Sequence, residues 1–178
     1  MNEKFHEQKN SSLQIFQGKM IRLRVDTVLL PNGQETTREV VEHPGAVAIL
    51  ALPTEDEVLL VRQFRYATGQ VSLELPAGKL EPNEQTDVAA HRELREETGY
   101  RAASLELILQ FYTSPGFSDE RMYLYLAKDL TAGEQQLDAD EFLDCIRITR
   151  KEVRTRIEQG LITDAKTLVG LLWWLQER

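Results

Sequence analysis

Apolar and polar positions alternate with period two through the first quarter of the chain, then merge into one apolar run, and later take up helical spacing. IRLRVDTVLL alternates apolar with charged or polar residues, the mark of a half-exposed strand. IFQGKMI before it suggests two short strands around Gly18. Pro31-Asn32-Gly33 is a turn, and ETTREVVEH is the returning strand. Residues 1–12 are polar and read as a frayed tail. Residues 13–43 therefore form a small antiparallel sheet whose row of Ile21, Leu23, Val25, Thr27 and Leu29 must be covered, by the rest of the chain or by a second copy. His43-Pro44-Gly45 breaks the pattern and divides the chain into 1–43 and 44–178.

AVAILALP is a continuous apolar run and reads as a central strand, with EVLLVRQFRYA next and VSLELPAGKL carrying a short strand into Pro76. A helix follows and runs to about Thr98, with Asn83 or Thr86 as its cap, Val88, Ala90 and Leu94 on its buried side, and Gly99 at its end. SLELILQFYTS, RMYLYLAKDL and FLDCIRIT read as strands, PGFSDE as a loop, and the acidic TAGEQQLDADE as a mobile loop. TRKEVRTRIEQG is a helix stopped by Gly160. Thr163 or Asp164 starts a last helix with Leu168, Leu171, Leu172 and Leu175 as its stripe. This order of elements predicts an α+β core.

The chemistry concentrates between Gly78 and Tyr100, where six acidic residues and two arginines surround a short apolar pattern. Glu93, Glu96 and Glu97 stand at i, i+3 and i+4 and project from one helix face. Like charges at that spacing repel, so the face is either a solvated acidic surface or a site for a hard cation such as Mg²⁺ or Mn²⁺. Phe16, Arg38, Arg65 and Glu74 offer an aromatic shelf, cations and an acceptor, and are candidates for binding a ligand. Arg38 and Arg65 have the alternative reading of strand arginines facing water, an even choice at Arg38, and Phe16 reads more readily as a core residue.

Gly78, Glu84, Arg92, Glu93, Leu94, Glu96, Glu97 and Gly99 stand at spacings that resemble the signature of the Nudix hydrolases, and only Tyr100 departs, where an aliphatic residue is usual. HPGAVAIL, VRQFR, LELPAG, DAKT, and TSPGFSDE with Pro115 sixteen residues past Gly99, resemble the ADP-ribose pyrophosphatases of that family. The resemblance implies an α/β/α sandwich around a mixed sheet and Mg²⁺-dependent cleavage of ADP-ribose to AMP and ribose 5-phosphate. It implies metal ligation by Glu93, Glu96, Glu97 and the Ala77 carbonyl. Arg92 and Glu84 would act as a supporting pair. Glu141 would be the base or water orienter, with Asp140 or a signature glutamate as the alternative. It further implies substrate contacts by Arg38 and Arg65, a terminal-ribose loop at Phe117 and Ser118, and a homodimer that exchanges the N-terminal sheet so that Phe16 stacks on the partner's substrate. The rival readings are another nucleoside diphosphate sugar, such as a GDP-hexose, and a sensor domain that binds without cleaving. The intact trio of glutamates speaks against the sensor.

The chain has 178 residues, 42% of them hydrophobic, enough for one domain with an appendage. Its net charge of -8 argues against nucleic acid or an anionic membrane as main partner. An anionic small substrate stays possible, because a bound metal reverses the local field. Cys145, the only cysteine, excludes an internal disulfide and a thiolate cluster, and reads as a small buried hydrophobe. The polar N-terminus is no signal peptide, and no apolar run reaches the ~18 residues of a membrane span. The cytoplasm is the expected compartment.

Overall fold

The computed structural model describes residues 3–137, 139 and 141–177. The chain separates into two compact units, Met1–Gly45 with Tyr112–Arg121, and Ala46–Phe111 with Met122–Arg178.

In the first unit, β1 (Gln8–Gln17), β2 (Arg22–Leu29) and β3 (Glu35–Glu42) form an antiparallel sheet in that order. The β2–β3 turn closes with Gly33 at φ 81° and with Gly33 N donating to Leu30 O at 2.9 Å. Two expectations are corrected. Residues 8–12 belong to β1, since Gln8 pairs with Leu29 through the backbone and pairing needs no apolar side chain. β2 buries Asp26 and Val28, on the face opposite the expected apolar row, whose Leu23, Val25 and Leu29 are only half-buried. The uncovered apolar surface lies instead on β1, where Leu13, Ile15 and Phe16 are each more than half exposed. Residues 117–119 are stitched to the end of β3, with Val41 N donating to Phe117 O at 2.7 Å and His43 N to Asp119 Oδ1 at 2.8 Å.

In the second unit, β4 (Ala46–Ala51) is buried at every position. It lies between β7 (Ala77–Lys79), to which it is antiparallel, and β9 (Arg121–Thr131), to which it is parallel, with β8 (Arg101–Tyr112) beyond β9. A second, antiparallel sheet has β5 (Glu57–Arg65) between β10 (Leu143–Thr149) and β6 (Gln70–Glu74). Successive β4 side chains serve two cores. Val47, Ile49 and Ala51 share one with Ala89, Ala90 and Leu94 of α1 (Thr86–Thr98). Ala48 and Leu50 share the other with Val153 of α2 (Arg150–Glu158) and with Leu171 and Trp174 of α3 (Ala165–Gln176). Helices thus cover both faces, as in an α/β/α sandwich. No described helix is long and apolar enough to cross a membrane.

The helix ends differ in part from expectation. Gln85 occupies the N-cap of α1 without a side-chain cap. Asn83 sits in a turn at φ 64°, and the Thr86 hydroxyl is 2.6 Å from Tyr125 OH. Val88 is exposed, and the inward face is Ala89, Ala90, Glu93, Leu94 and Glu97. Two of those inward residues are acidic, so an apolar stripe could not reveal the face. Gly99 ends the helix at φ 77°. Thr149 caps α2 in a reciprocal box with Glu152. Asp164 caps α3, which turns Thr167, Gly170, Leu171 and Trp174 inward and leaves Leu172 exposed.

Leu171 has no exposed surface, so Leu171→Ala should cost about 2–5 kcal/mol in chemical denaturation of the intact chain. A loss below about 1 kcal/mol would mean that α3 does not pack as described.

Candidate active site

The site grows from α1 and the backbone that runs from β6 into β7. Gly78 lies so close to α1 that a Cβ there would sit 1.9 Å from Glu93 Oε1. Lacking one, the strand leaves room for the Glu93 carboxylate. One residue earlier, Ala77 N donates to Glu97 Oε2 at 2.9 Å. Glu93 and Glu97 are both buried. Burial pushes the Glu97 carboxyl up to about 8, helped by the charges of Glu93 and Glu141 and opposed by the Ala77 amide. Burial also raises Glu93, although Arg92 opposes it.

Arg92 organises the acidic face. Its Nε and Nη2 donate to the two oxygens of Glu84 at 2.8 and 2.9 Å, a bidentate fork. Its Nη1 reaches Glu93 Oε1 at 2.6 Å and Glu96 Oε2 at 3.2 Å. Glu84 also accepts from Glu81 N at 2.9 Å, which ties the loop before α1 into the same cluster. The Arg92 hydrogen bonds hold the Glu84 carboxyl below its ordinary value.

The donors fit a hard divalent cation. They are carboxylate oxygens, two of them buried and poorly compensated, beside the peptide of Ala77. Among the described residues, no three acidic or imidazole groups converge on one point. Arg92 draws Glu93 and Glu96 to its side, while the Ala77 amide holds Glu97.

A second cluster stands at the start of α3. Glu74 is 1% exposed and accepts from Arg65 Nε at 2.8 Å and Arg65 Nη2 at 2.7 Å, and from Lys166 Nζ. Burial alone would raise this carboxyl, but Arg65 and Lys166 outweigh it and hold it at about 2. Lys166 also meets Asp164 Oδ1 at 3.0 Å. Thr167 Oγ1 accepts from Leu75 N at 2.8 Å, so α3 grips the backbone two residues before Ala77. Arg65 spends Nε and Nη2 on Glu74. As a ribose acceptor Glu74 is poorly placed, since both its oxygens are taken. Lys166, Asp164 and Thr167 were not singled out in the sequence as functional residues, and the DAKT segment was the signal that contained them.

Glu141 is exposed in the loop before β10, and its charge is felt at Glu93 and Glu97. Asp140 lies outside the described residues. Cys145 is half-buried rather than fully buried, and burial raises its thiol to about 11, so it is no ready nucleophile. The remaining candidates belong to the first unit. Phe16 is exposed on β1 and touches the Gly18 turn. Arg38 pairs with Glu7, its Nη2 being 2.6 Å from Oε1. Pro115 and Phe117 are exposed in the turn after β8, where Ser118 Oγ accepts from Glu120 N at 3.2 Å.

A glycine-spaced carboxylate helix packed on a mixed sheet between helical layers defines a class, and comparison with known proteins gives the same one. Residues 42–168 match the model of the NUDIX domain, and the chain belongs to the Nudix family. Residues 7–41 match the nucleoside diphosphate sugar hydrolase N-terminal domain. Over 160 residues the chain is 46% identical to a Bacillus subtilis (strain 168) protein named ADP-ribose pyrophosphatase, covering 89% of this chain and 86% of that one. Over 173 residues it is 44% identical to a Bacillus methanolicus protein named methanol dehydrogenase activator, covering 96% of this chain and 94% of that one. A solved structure described as an ADP compounds hydrolase superposes with a TM-score of 0.81 at 22% identity, over 93% of this chain and 90% of that one, which shows the shared fold.

The raised Glu97 carboxyl has a consequence for stability. Between its ordinary 4.5 and about 8, the unfolded state ionises Glu97 while the folded, metal-free state keeps it protonated. Folding stability from this group is therefore present at low pH and lost as pH rises through about 8. Metal-free Glu97→Gln should be more stable than the parent above pH 8, with a difference that shrinks toward pH 5, read as Tm across a pH series in chelator. A glutamine variant that is less stable at high pH would contradict the buried, protonated carboxyl.

Proposed function

We propose that the protein is a Mg²⁺-dependent pyrophosphatase that hydrolyses ADP-ribose to AMP and ribose 5-phosphate. The observation that carries the reading is the pair of buried carboxylates, Glu93 and Glu97, set against the Ala77 peptide in a chain of this family. Glu93, Glu96, Glu97 and the Ala77 carbonyl would hold the cation, with Mn²⁺ as a possible substitute. When bound, it supplies charge neutralisation on the diphosphate and a more acidic water. Arg92 keeps Glu93 and Glu96 aligned. Arg65, fixed by Glu74, offers Nη1 to a phosphate oxygen. Glu141 takes the proton of the attacking water. Water adds to one phosphorus, and the bridging oxygen leaves on the other phosphate. The name of the Bacillus subtilis relative supports ADP-ribose as the sugar nucleotide.

A second reading has the Bacillus methanolicus relative behind it, namely activation of a methanol dehydrogenase. It becomes the better reading if the protein raises the rate of such a dehydrogenase while turning over no nucleotide sugar. The compartment we propose is the cytoplasm, where a lone thiol such as Cys145 stays reduced.

Release of phosphomonoester from ADP-ribose, GDP-mannose and diadenosine polyphosphates, with and without Mg²⁺, tests the reaction. ADP-ribose should turn over fastest and only with the metal, and absence of turnover on every substrate would refute the enzyme. Glu141→Gln should lower kcat by about 10²–10⁴-fold with little change in KM. If that variant is silent and Asp140→Asn is crippled, the proton acceptor is Asp140.

We further propose a homodimer built on the N-terminal sheet, because Leu13, Ile15 and Phe16 leave β1 with an uncovered apolar row. Phe16 would then lie at the base of the partner's substrate, with Arg38 and the Phe117–Ser118 turn contributing from the same unit. The intact chain should sediment as a dimer at micromolar concentration. A clean monomer would overturn this assembly.

A further inference from the structure

We propose that Gly133, Gln135 and Gln136 form a clasp that positions Glu141, by tying the start of the β9–β10 loop to the last turn of the helix that bears Glu93, Glu96 and Glu97. The inference rests on the role given above to Glu141. The last carbonyls of any α-helix lack partners within it. Here two of them are taken by the loop, with Gln136 N donating to Glu96 O at 3.0 Å and Gln135 Nε2 donating to Glu97 O. The residues held are those whose side chains form the candidate metal site, so the loop is referenced to that site directly.

Two glycines make the approach possible. A Cβ on Gly99 would lie 2.8 Å from Gly133 O, and a Cβ on Gly133 would lie 2.9 Å from Gly99 O. Neither position admits a side chain without moving the other strand of backbone. Gly99 thus has two duties. It ends α1 at positive φ, and it lets the loop cross against the helix end. Glu141 lies five positions after Gln136, which restricts the Glu141 backbone to within about 17 Å of the clasp. The charge of Glu141 reaches Glu93 and Glu97 in this arrangement. The Gln135 side chain donates to the backbone carbonyl of Glu97 rather than to its carboxylate, and is a positioning residue.

The test is Gln135→Ala in the full chain, assayed with ADP-ribose and Mg²⁺ and followed by amide hydrogen exchange. Gln135→Met, which keeps the length of the side chain and removes its donor, repeats the test. We expect kcat to fall by about tenfold or more, as misplacement of a reacting group by ~1 Å can do. KM and the Mg²⁺ concentration for half-maximal rate should not move. Added to Glu141→Gln, Gln135→Ala should cost nothing more, because the group it positions is already gone. Exchange in peptides spanning 133–144 should quicken while α1 stays protected. An unchanged kcat in a protein whose Glu141→Gln variant is impaired would overturn the clasp, as would the same loss of rate in the Glu141→Gln background. If Glu141→Gln is itself silent, the role of Glu141 is what fails, and exchange decides the clasp alone. Faster exchange in 133–144 would then support it, and unchanged exchange would refute it.

Discussion

Two carboxylates one helical turn apart, both nearly sealed from solvent, set the terms for the rest of the site. Glu97 is 3% exposed and Glu93 8%. A carboxyl moved from 4.5 to about 8 disfavours its ionised form by roughly 5 kcal/mol. The chain supplies only partial relief, through one amide to Glu97 and one guanidinium shared among Glu84, Glu93 and Glu96. A larger and closer positive charge is what the arrangement lacks, and a divalent cation is the group that oxygen donors of this kind select. Gly78 follows from the same constraint, since any side chain there would displace the Glu93 carboxylate.

The same unit contains the opposite solution to the same problem. Glu74 is as deeply buried as Glu97, yet its carboxyl is held at about 2 because Arg65 and Lys166 both donate to it. One buried glutamate is thus a permanent anion that anchors an arginine, and the other is a carboxyl that burial keeps protonated. Environments that drive like groups apart in this way assign them different work. The backbone joins the two. α3 grips Leu75 through Thr167, and Ala77, two residues on, grips Glu97.

Much of this is legible in the sequence, for physical reasons that differ from element to element. β4 is legible because burial on both faces demands an unbroken apolar run. The extent of α1 is legible from the glycine that ends it and from three carboxylates at helical spacing. Its buried face is not, because Glu93 and Glu97 occupy positions where an apolar stripe is expected, and Val88 accordingly points outward. The polar start of β1 escapes a reading by hydrophobic pattern because backbone pairing, which needs no apolar side chain, holds it. The ion pair of Lys166 with Glu74 links residues 92 positions apart, and no local spacing encodes it. The contact of Gly99 with Gly133 is hidden for the same reason.

As a metal ligand, the buried and protonated Glu97 would have to give up its proton. Calorimetry of Mn²⁺ binding at pH 7, repeated in buffers of different ionisation enthalpy, measures that proton directly. With the Glu97 carboxyl at about 8, binding at pH 7 should release close to one proton, and affinity should rise with pH until that group is ionised. Binding that releases no proton, with an affinity that is flat from pH 6 to 9, would contradict the account.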